Sequence, residues 1–294
     1  MSQARMLRLL ADPVRTGGIA RRKFAVYGLR RRAAREADGI LASYLKAGRT
    51  WTRYALSHYL NAQYGAGLSV DMQSTFSLVP NFDGDPVRGL PAFRRLREGR
   101  KDLPLLAVSH LGYRRGRFGH APVVFMVRDP RDMMVSAYFH ATRHKRNFEG
   151  GIDAFLASED LGVPRLLRYY RGWGEGLSRH AHLVLRYEDM KADTAGALGE
   201  VIGFLGWPVD EARIAQAAEA SAFDRMREQE LRTGLPGHSY DRSEESSLRT
   251  RKGQVGGFAG HLSPEQANGI LEALKAGLPA EAHRRLRLDS YPSG

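Results

Sequence analysis

Ile40-Leu41-Ala42-Ser43-Tyr44-Leu45-Lys46-Ala47-Gly48-Arg49-Thr50-Trp51 is the stretch that decides the fold. It opens as the apolar run a buried strand needs and turns at Lys46-Ala47-Gly48. It then continues through Thr50-Trp51-Thr52-Arg53-Tyr54-Ala55-Leu56 with helical spacing. A strand, a glycine-containing turn and a helix N-terminus make an anion cradle. The first backbone N–H groups of a helix have no partner inside it, and the helix dipole is positive there. Lys46 sets a mobile cation beside that cradle, and Thr50 adds a hydroxyl. The nucleoside-triphosphate loop G-x-x-x-x-G-K-[ST] is excluded: Ile40 and Leu45 stand where its glycines would be, and Ala47 follows Lys46.

Further apolar runs repeat the pattern. Leu103 to Ser109 reads as a strand that delivers His110 at its C-terminal end. Pro122 to Val127 reads as another, followed by Arg128-Asp129-Pro130-Arg131-Asp132 and a helix that carries Ser136. His182 to Arg186 reads as a fourth, entering a turn at Tyr187-Glu188-Asp189. Strands alternating with helices predict a single α/β domain, with a central parallel sheet, helices on both faces and a phosphate-binding loop. In such sheets ligands collect at the C-terminal ends of the strands. That places His110 and Arg128 where chemistry belongs, although a packed or capping histidine accounts for His110 equally well on sequence alone. Asp129 as helix cap with Pro130 in the first turn explains that pair but leaves Arg128 unexplained. Glu188 or Asp189 is expected to cap the next helix. Residues 63–90 read as loop and 230–250 as a mobile flap. Residues 193–206, 210–220 and 270–288 read as helices, the last basic.

The 294 residues, 43% of them hydrophobic, are enough for one large α/β domain or two small ones. A net charge of +13, from 45 Lys and Arg against 32 Asp and Glu, points to anionic partners. The absence of cysteine excludes disulfides, thiol catalysis and Cys-based metal sites. No apolar run approaches the roughly 20 residues of a membrane span. His140 and His144 are one helical turn apart, but without a third ligand nearby no metal is expected. Residues 1–39 form a basic N-terminal segment, ahead of a domain over 40–294. With Arg21-Arg22-Lys23 and Arg30-Arg31-Arg32, this segment either docks peripherally on an anionic membrane or simply faces water.

The loop resembles the 5′-phosphosulfate loop of sulfotransferases that use 3′-phosphoadenosine 5′-phosphosulfate (PAPS). Their usual Tyr-Pro-Lys-Ser-Gly-Thr-Thr-Trp matches five of eight positions from Tyr44 to Trp51. Val127 to Ser136 resembles the family's Val-Arg-Asn-Pro-Arg-Asp-Val-Ala-Val-Ser, which implies that Arg128 and Ser136 hold the 3′-phosphate. His110-Leu111 matches the family's Lys-Thr-His-Leu, implying a general base. Leu185-Arg186-Tyr187-Glu188-Asp189 resembles a segment whose tyrosine approaches the nucleotide. Ser221-Ala222-Phe223-Asp224-Arg225-Met226 resembles Thr-Ser-Phe-Asp-x-Met, whose aromatic lies against adenine with Trp51. For Phe223, ordinary core packing is the other reading. Arg251-Lys252-Gly253 with Gly256 resembles Arg-Lys-Gly-x-x-Gly near the family's C-terminus, implying closure over the 3′-phosphate.

The resemblance spans roughly residues 40–260 and implies a cytosolic-type sulfotransferase, expected to be a bacterial member. It would move a sulfuryl group from PAPS to a hydroxyl or amine, releasing 3′-phosphoadenosine 5′-phosphate (PAP), with Lys46 and the amides of Ala47, Gly48, Arg49, Thr50 and Trp51 on the leaving phosphate. No metal is implied. The expected acceptor is a small molecule, glycan or lipid; no nucleic acid is expected, and a cytoplasmic location follows. The rivals are an ATP-using phosphotransferase and a basic nucleic-acid-binding protein. Three departures stand in the loop: Leu45 for Pro, Ala47 for Ser and Arg49 for Thr. An acceptor pocket is expected from parts of 63–90, 112–120 and 140–148.

Overall fold

The computed structural model describes residues 26–234 and 253–291. Four strands form one parallel sheet: β1 (Gly39–Ser43), β2 (Leu106–Ser109), β3 (Val123–Val127) and β4 (His182–Arg186), in the order β2-β1-β3-β4. Every residue of β1, β2 and β3 is buried. A parallel sheet covered on both faces requires this, and it is why these strands read as unbroken apolar runs. The chain leaves β1 for β2 on one side and returns to β3 on the other. The crevice between the C-terminal ends of β1 and β3 is therefore the switch point where ligands bind. Because all four strands run the same way, Tyr44, His110, Arg128 and Tyr187 emerge at one edge.

The longer helices are α1 (26–36), α2 (Arg49–Gln63), α3 (Leu90–Arg97), α4 (Pro130–Phe139), α5 (Val163–Gly176), α6 (Thr194–Phe204), α7 (Glu211–Ala220), α8 (Phe223–Thr233) and α9 (Pro264–Gly277). Trp173 of α5 is fully buried, with its ring 5.0 Å from Phe118 and 5.2 Å from Phe125 of β3. Its indole N–H donates to the Leu111 carbonyl at 3.0 Å, which fixes the chain just beyond His110.

Several local expectations change. Residues 63–90 contain a short helix, Thr75–Leu78. Their Pro80-Asn81-Phe82 segment pairs with the outer edge of β2: the Phe82 N–H bonds to the Val108 carbonyl (2.7 Å) and the Val108 N–H to the Pro80 carbonyl (2.8 Å). Phe76, Leu78, Val79 and Phe82 are buried, and these apolar side chains among polar neighbours hold the segment down. The C-terminal helix is two pieces, α9 and Ala280–Arg285, because Pro279 cannot continue the hydrogen-bond ladder. α8 runs to Thr233, so no flap begins at residue 230; 235–252 lie outside the described residues, as do 1–25 and 292–294. α1 packs on the body through buried Ala33 and Ala34, and the Arg30 Nε donates to the Phe82 carbonyl at 2.9 Å.

Candidate active site

The loop between β1 and α2 makes its turn with two left-handed residues, Lys46 (φ 70°) and Gly48 (φ 96°). For lysine that conformation costs roughly 1–2 kcal/mol, held in place by the flanking strand and helix. At Gly48 a Cβ would sit 2.5 Å from the Tyr187 ring, so only glycine fits. Gly48 is the N-cap of α2, with no side-chain cap hydrogen bond. The Trp51 and Thr52 N–H groups close on its carbonyl at 2.9 and 3.3 Å. The helix N-terminus, with Lys46, Arg49 and Thr50, faces a cleft of about 1260 Å³, counting space open to solvent.

Arg128 follows β3 directly and enters the same cleft. Its guanidinium lies 4.4 Å over the Tyr187 ring and donates to the Gln254 carbonyl at 3.0 Å and the Lys46 carbonyl at 3.5 Å. It also pairs with Asp132 at 3.3 Å. Asp132 is buried and accepts from the N–H groups of Gly256 (3.0 Å) and Phe258 (2.9 Å), tying that distant segment to α4 beside Arg128. Asp129 caps α4, accepting from the Arg131 N–H at 2.9 Å, and pairs with the Arg131 guanidinium, which stacks 4.2 Å over Phe258. The Asp129 N–H in turn donates to Glu188 (2.9 Å), whose other carboxylate oxygen takes the Tyr291 hydroxyl. Glu188 thus braces the Arg128 turn. The next helix is the short Tyr187–Ala192, which has Glu188 and Asp189 in its first turn and no side-chain cap, and Asp193 caps α6 after it.

Aromatic rings form another wall. The Trp51 indole N–H donates to the Ser221 carbonyl at 2.8 Å across 170 positions of sequence, and its ring meets Tyr187 edge-on at 5.7 Å. The Lys191 ammonium lies 5.4 Å from the Phe223 ring and 6.0 Å from the Trp51 ring, so both rings flank one cation. A Cβ on Gly253 (φ 57°) would sit 2.6 Å from the Phe223 ring, so glycine lets the returning chain close against that ring. Burial raises the Tyr187 phenol, opposed by Arg128, which keeps Tyr187 a neutral stacking partner.

His110 follows β2 and lines the far end of the cleft. Its Nδ1 is 3.0 Å from the Ser43 carbonyl. A carbonyl only accepts, so the proton is assigned to Nδ1 and Nε2 becomes the basic nitrogen. His110 and Leu45 also line a second cleft, with Tyr44, Gly112, Asp160, Arg165, Arg168 and Tyr169. The second cleft therefore takes its wall beyond His110 from Gly112 and residues 160–169, while His140, from the 140–148 stretch, lines the first cleft with His110, and no residue of 63–90 lines either. Leu166 and Tyr170 pack inward, turning Arg165, Arg168 and Tyr169 of α5 toward this side.

Lys46, Gly48, Arg49, Thr50, Trp51, His110, Arg128, Ser136, Tyr187, Phe223 and Gly253 all line the first cleft. Ala47 and Ser221 are fully buried and do not line it. The Ser221 hydroxyl donates back to the Ala218 carbonyl at 3.1 Å, and its own carbonyl anchors Trp51. Arg251 and Lys252 lie outside the described residues.

Residues 36–281 match the sulfotransferase domain family. The chain belongs to that family. This sulfotransferase is 29% identical to a guinea-pig (Cavia porcellus) 3-alpha-hydroxysteroid sulfotransferase over 259 residues, covering 83% of this chain and 86% of the relative. It is 26% identical to human (Homo sapiens) sulfotransferase 2A1 over 260 residues, covering 84% and 87%. Its fold resembles that of mouse sulfotransferase SULT7A1, a structure complexed with PAP, with a TM-score of 0.59, 21% identity and coverage of 87% and 88%. The sulfotransferase moves a sulfuryl group from PAPS to an acceptor and releases PAP. Among its described residues no helix is long and apolar enough to cross a membrane.

Proposed function

We propose that the first cleft is the PAPS site, with the phosphosulfate on the Lys46–Trp51 loop, the adenine beside Trp51 and Phe223, and the 3′-phosphate at Arg128 and Ser136. The observation that carries this reading is the convergence of an anion-binding helix start, four cations (Lys46, Arg49, Arg128 and Lys191) and two aromatic rings on one cleft that has a histidine at its far end. The fit is chemical. PAPS is polyanionic with one flat base; the cleft offers cations, amides and ring faces, and a glycine at 48 where a side chain would collide. Arg251 and Lys252 are proposed to join the 3′-phosphate, and Ala47 to contribute its amide alone.

PAPS supplies a sulfuryl group on a good phosphate leaving group. His110 Nε2 takes the acceptor proton as the new sulfur–oxygen bond forms and the bond to the phosphate breaks. Lys46 and the start of α2 meet negative charge where it grows on the departing phosphate. Sulfuryl transfer passes in line between two oxygens, as phosphoryl transfer does, so positioning and charge are what the chain must provide. Incubation with sulfur-radiolabelled PAPS and a host extract, read by mass spectrometry, tests the reading. Label must move to an acceptor, and Lys46→Ala must lose both turnover and nucleotide affinity. PAP should stabilise the protein against heat more than ATP does; equal effects would count against the PAPS site.

A small-molecule acceptor and a cytoplasmic location suit the family resemblance; a glycan or lipid acceptor and a bacterial origin belong to the same proposal. For the basic segment 1–39, ahead of the domain over 40–294, peripheral contact with anionic lipid is proposed. Salt-sensitive sedimentation with phosphatidylserine vesicles would support it, and no sedimentation would remove it.

A further inference from the structure

The second cleft meets the first at His110 and Leu45 and encloses about 910 Å³, counting space open to solvent. Its inner wall carries two tyrosines. Tyr44 is 2% exposed and Tyr169 is 9% exposed; both line the cleft, and neither hydroxyl has a hydrogen-bond partner among the described residues. The Trp173 indole lies beside Tyr169 but donates to the Leu111 carbonyl instead. Buried polar groups are normally satisfied, so two adjacent orphaned hydroxyls, on rings 5.2 Å apart, mark a place built for something else. Burial raises both phenols, Tyr44 to about 12, so both are O–H donors at neutral pH. The charges acting on them are guanidiniums: Arg165 and Arg168 at Tyr44, and Arg49 at Tyr169. Arg168 is paired with Glu159. Arg165 gives one N–H to the neutral Asp160 carbonyl at 3.1 Å, lies 6.0 Å over the Tyr44 ring and has no ion pair among the described residues. Asp160 is exposed and also lines the cleft.

We propose that this cleft is an anion-selective acceptor subsite. It takes an acceptor that carries a carboxylate, phosphate or sulfate group besides the hydroxyl to be sulfated, and Arg165, Tyr44 and Tyr169 hold that group. The inference rests on His110 marking the acceptor side of the PAPS site. Two O–H donors without an acceptor and one cation without an ion pair among the described residues are complementary to an oxyanion, and charge-assisted bonds of this kind are the strong ones.

The test uses the full chain saturated with PAP, and two probes: para-hydroxyphenylpropionate and its uncharged methyl ester. Calorimetric titration should show the acid binding at least about tenfold more tightly, the ratio one charge-assisted hydrogen bond gives. Arg165→Gln should bring the acid-to-ester ratio toward one, Arg165→Lys should restore part of it, and Tyr44→Phe should lower it severalfold. With PAPS in place of PAP, the same ratio should appear in the KM values. Equal binding of acid and ester, no binding of either, or an unchanged ratio in Arg165→Gln overturns the inference. The PAP titration that precedes each run separates the failures. If PAP does not bind, the nucleotide reading falls; if PAP binds and the acid has no advantage, this inference alone falls.

Discussion

His110 has one ring nitrogen committed to the Ser43 carbonyl, so its proton chemistry falls to the other. As a general base it must be neutral, so protonation of the ring at low pH would remove the base. Turnover should therefore fall on the acid side of the pH profile, and that limb should vanish in His110→Ala. The substitution should lower turnover by about 10² to 10⁴ and leave PAP affinity within a few-fold. Near-normal turnover would make His110 a structural strand-end residue. Lys46, His110 and Arg128 were legible in the sequence because each stands where an apolar run stops, inside a stretch the family shares. Asp132 was legible only as a letter of that stretch. Its partners, the N–H groups of Gly256 and Phe258, lie 124 and 126 positions away, and no local pattern announces them. Tyr44 and Tyr169 were missed for the same reason, since an aromatic on a buried element reads as core.

The β1–α2 turn and the start of α4 are the two elements that make the cleft, and each depends on one residue type. Gly48→Ala should disable the turn, because a Cβ there meets the Tyr187 ring at 2.5 Å and φ is 96°. PAP binding should be lost and the thermal midpoint should drop, measured by PAP titration and calorimetry; a normal midpoint with normal binding would contradict the geometry. Asp132→Ala removes the acceptor of two backbone N–H groups and the partner of Arg128. The N–H groups are only partly buried, so a loss of about 1–2 kcal/mol is expected, with weaker PAP binding in parallel. Urea unfolding with and without PAP measures both. Strand and helix types were readable throughout these elements because their periodicity is local. The edges that moved, at residues 75–82, 230 and 279, are where a tertiary contact or a proline sets the boundary.

At the scale of the whole molecule, burial acts on several phenols together. Tyr44 rises from 10.0 to about 12, and Tyr170 and Tyr291 are raised too, mainly by desolvation. Between pH 10 and 12 the unfolded chain releases these protons while the folded one keeps Tyr44's. Stability is therefore fully present below pH 10 and declines as pH rises through that window. Urea midpoints taken from pH 8 to about 12 should fall above pH 10; a flat profile would mean these phenols are hydrated. The parallel sheet, the loop and the order of the motifs were all visible in the sequence. The second cleft was not, since it joins β1, the residue after β2 and α5 only in three dimensions. The central claim, that distant parts of the chain converge on the 3′-phosphate of the nucleotide, is tested most directly by titrating Arg128→Ala and the unaltered protein with PAP and with adenosine 5′-phosphate. A charge-assisted bond to phosphate contributes roughly 1.5–3 kcal/mol. PAP should therefore bind the variant at least about tenfold more weakly, while adenosine 5′-phosphate, which lacks the 3′-phosphate, loses little; equal losses for the two nucleotides would contradict the assignment.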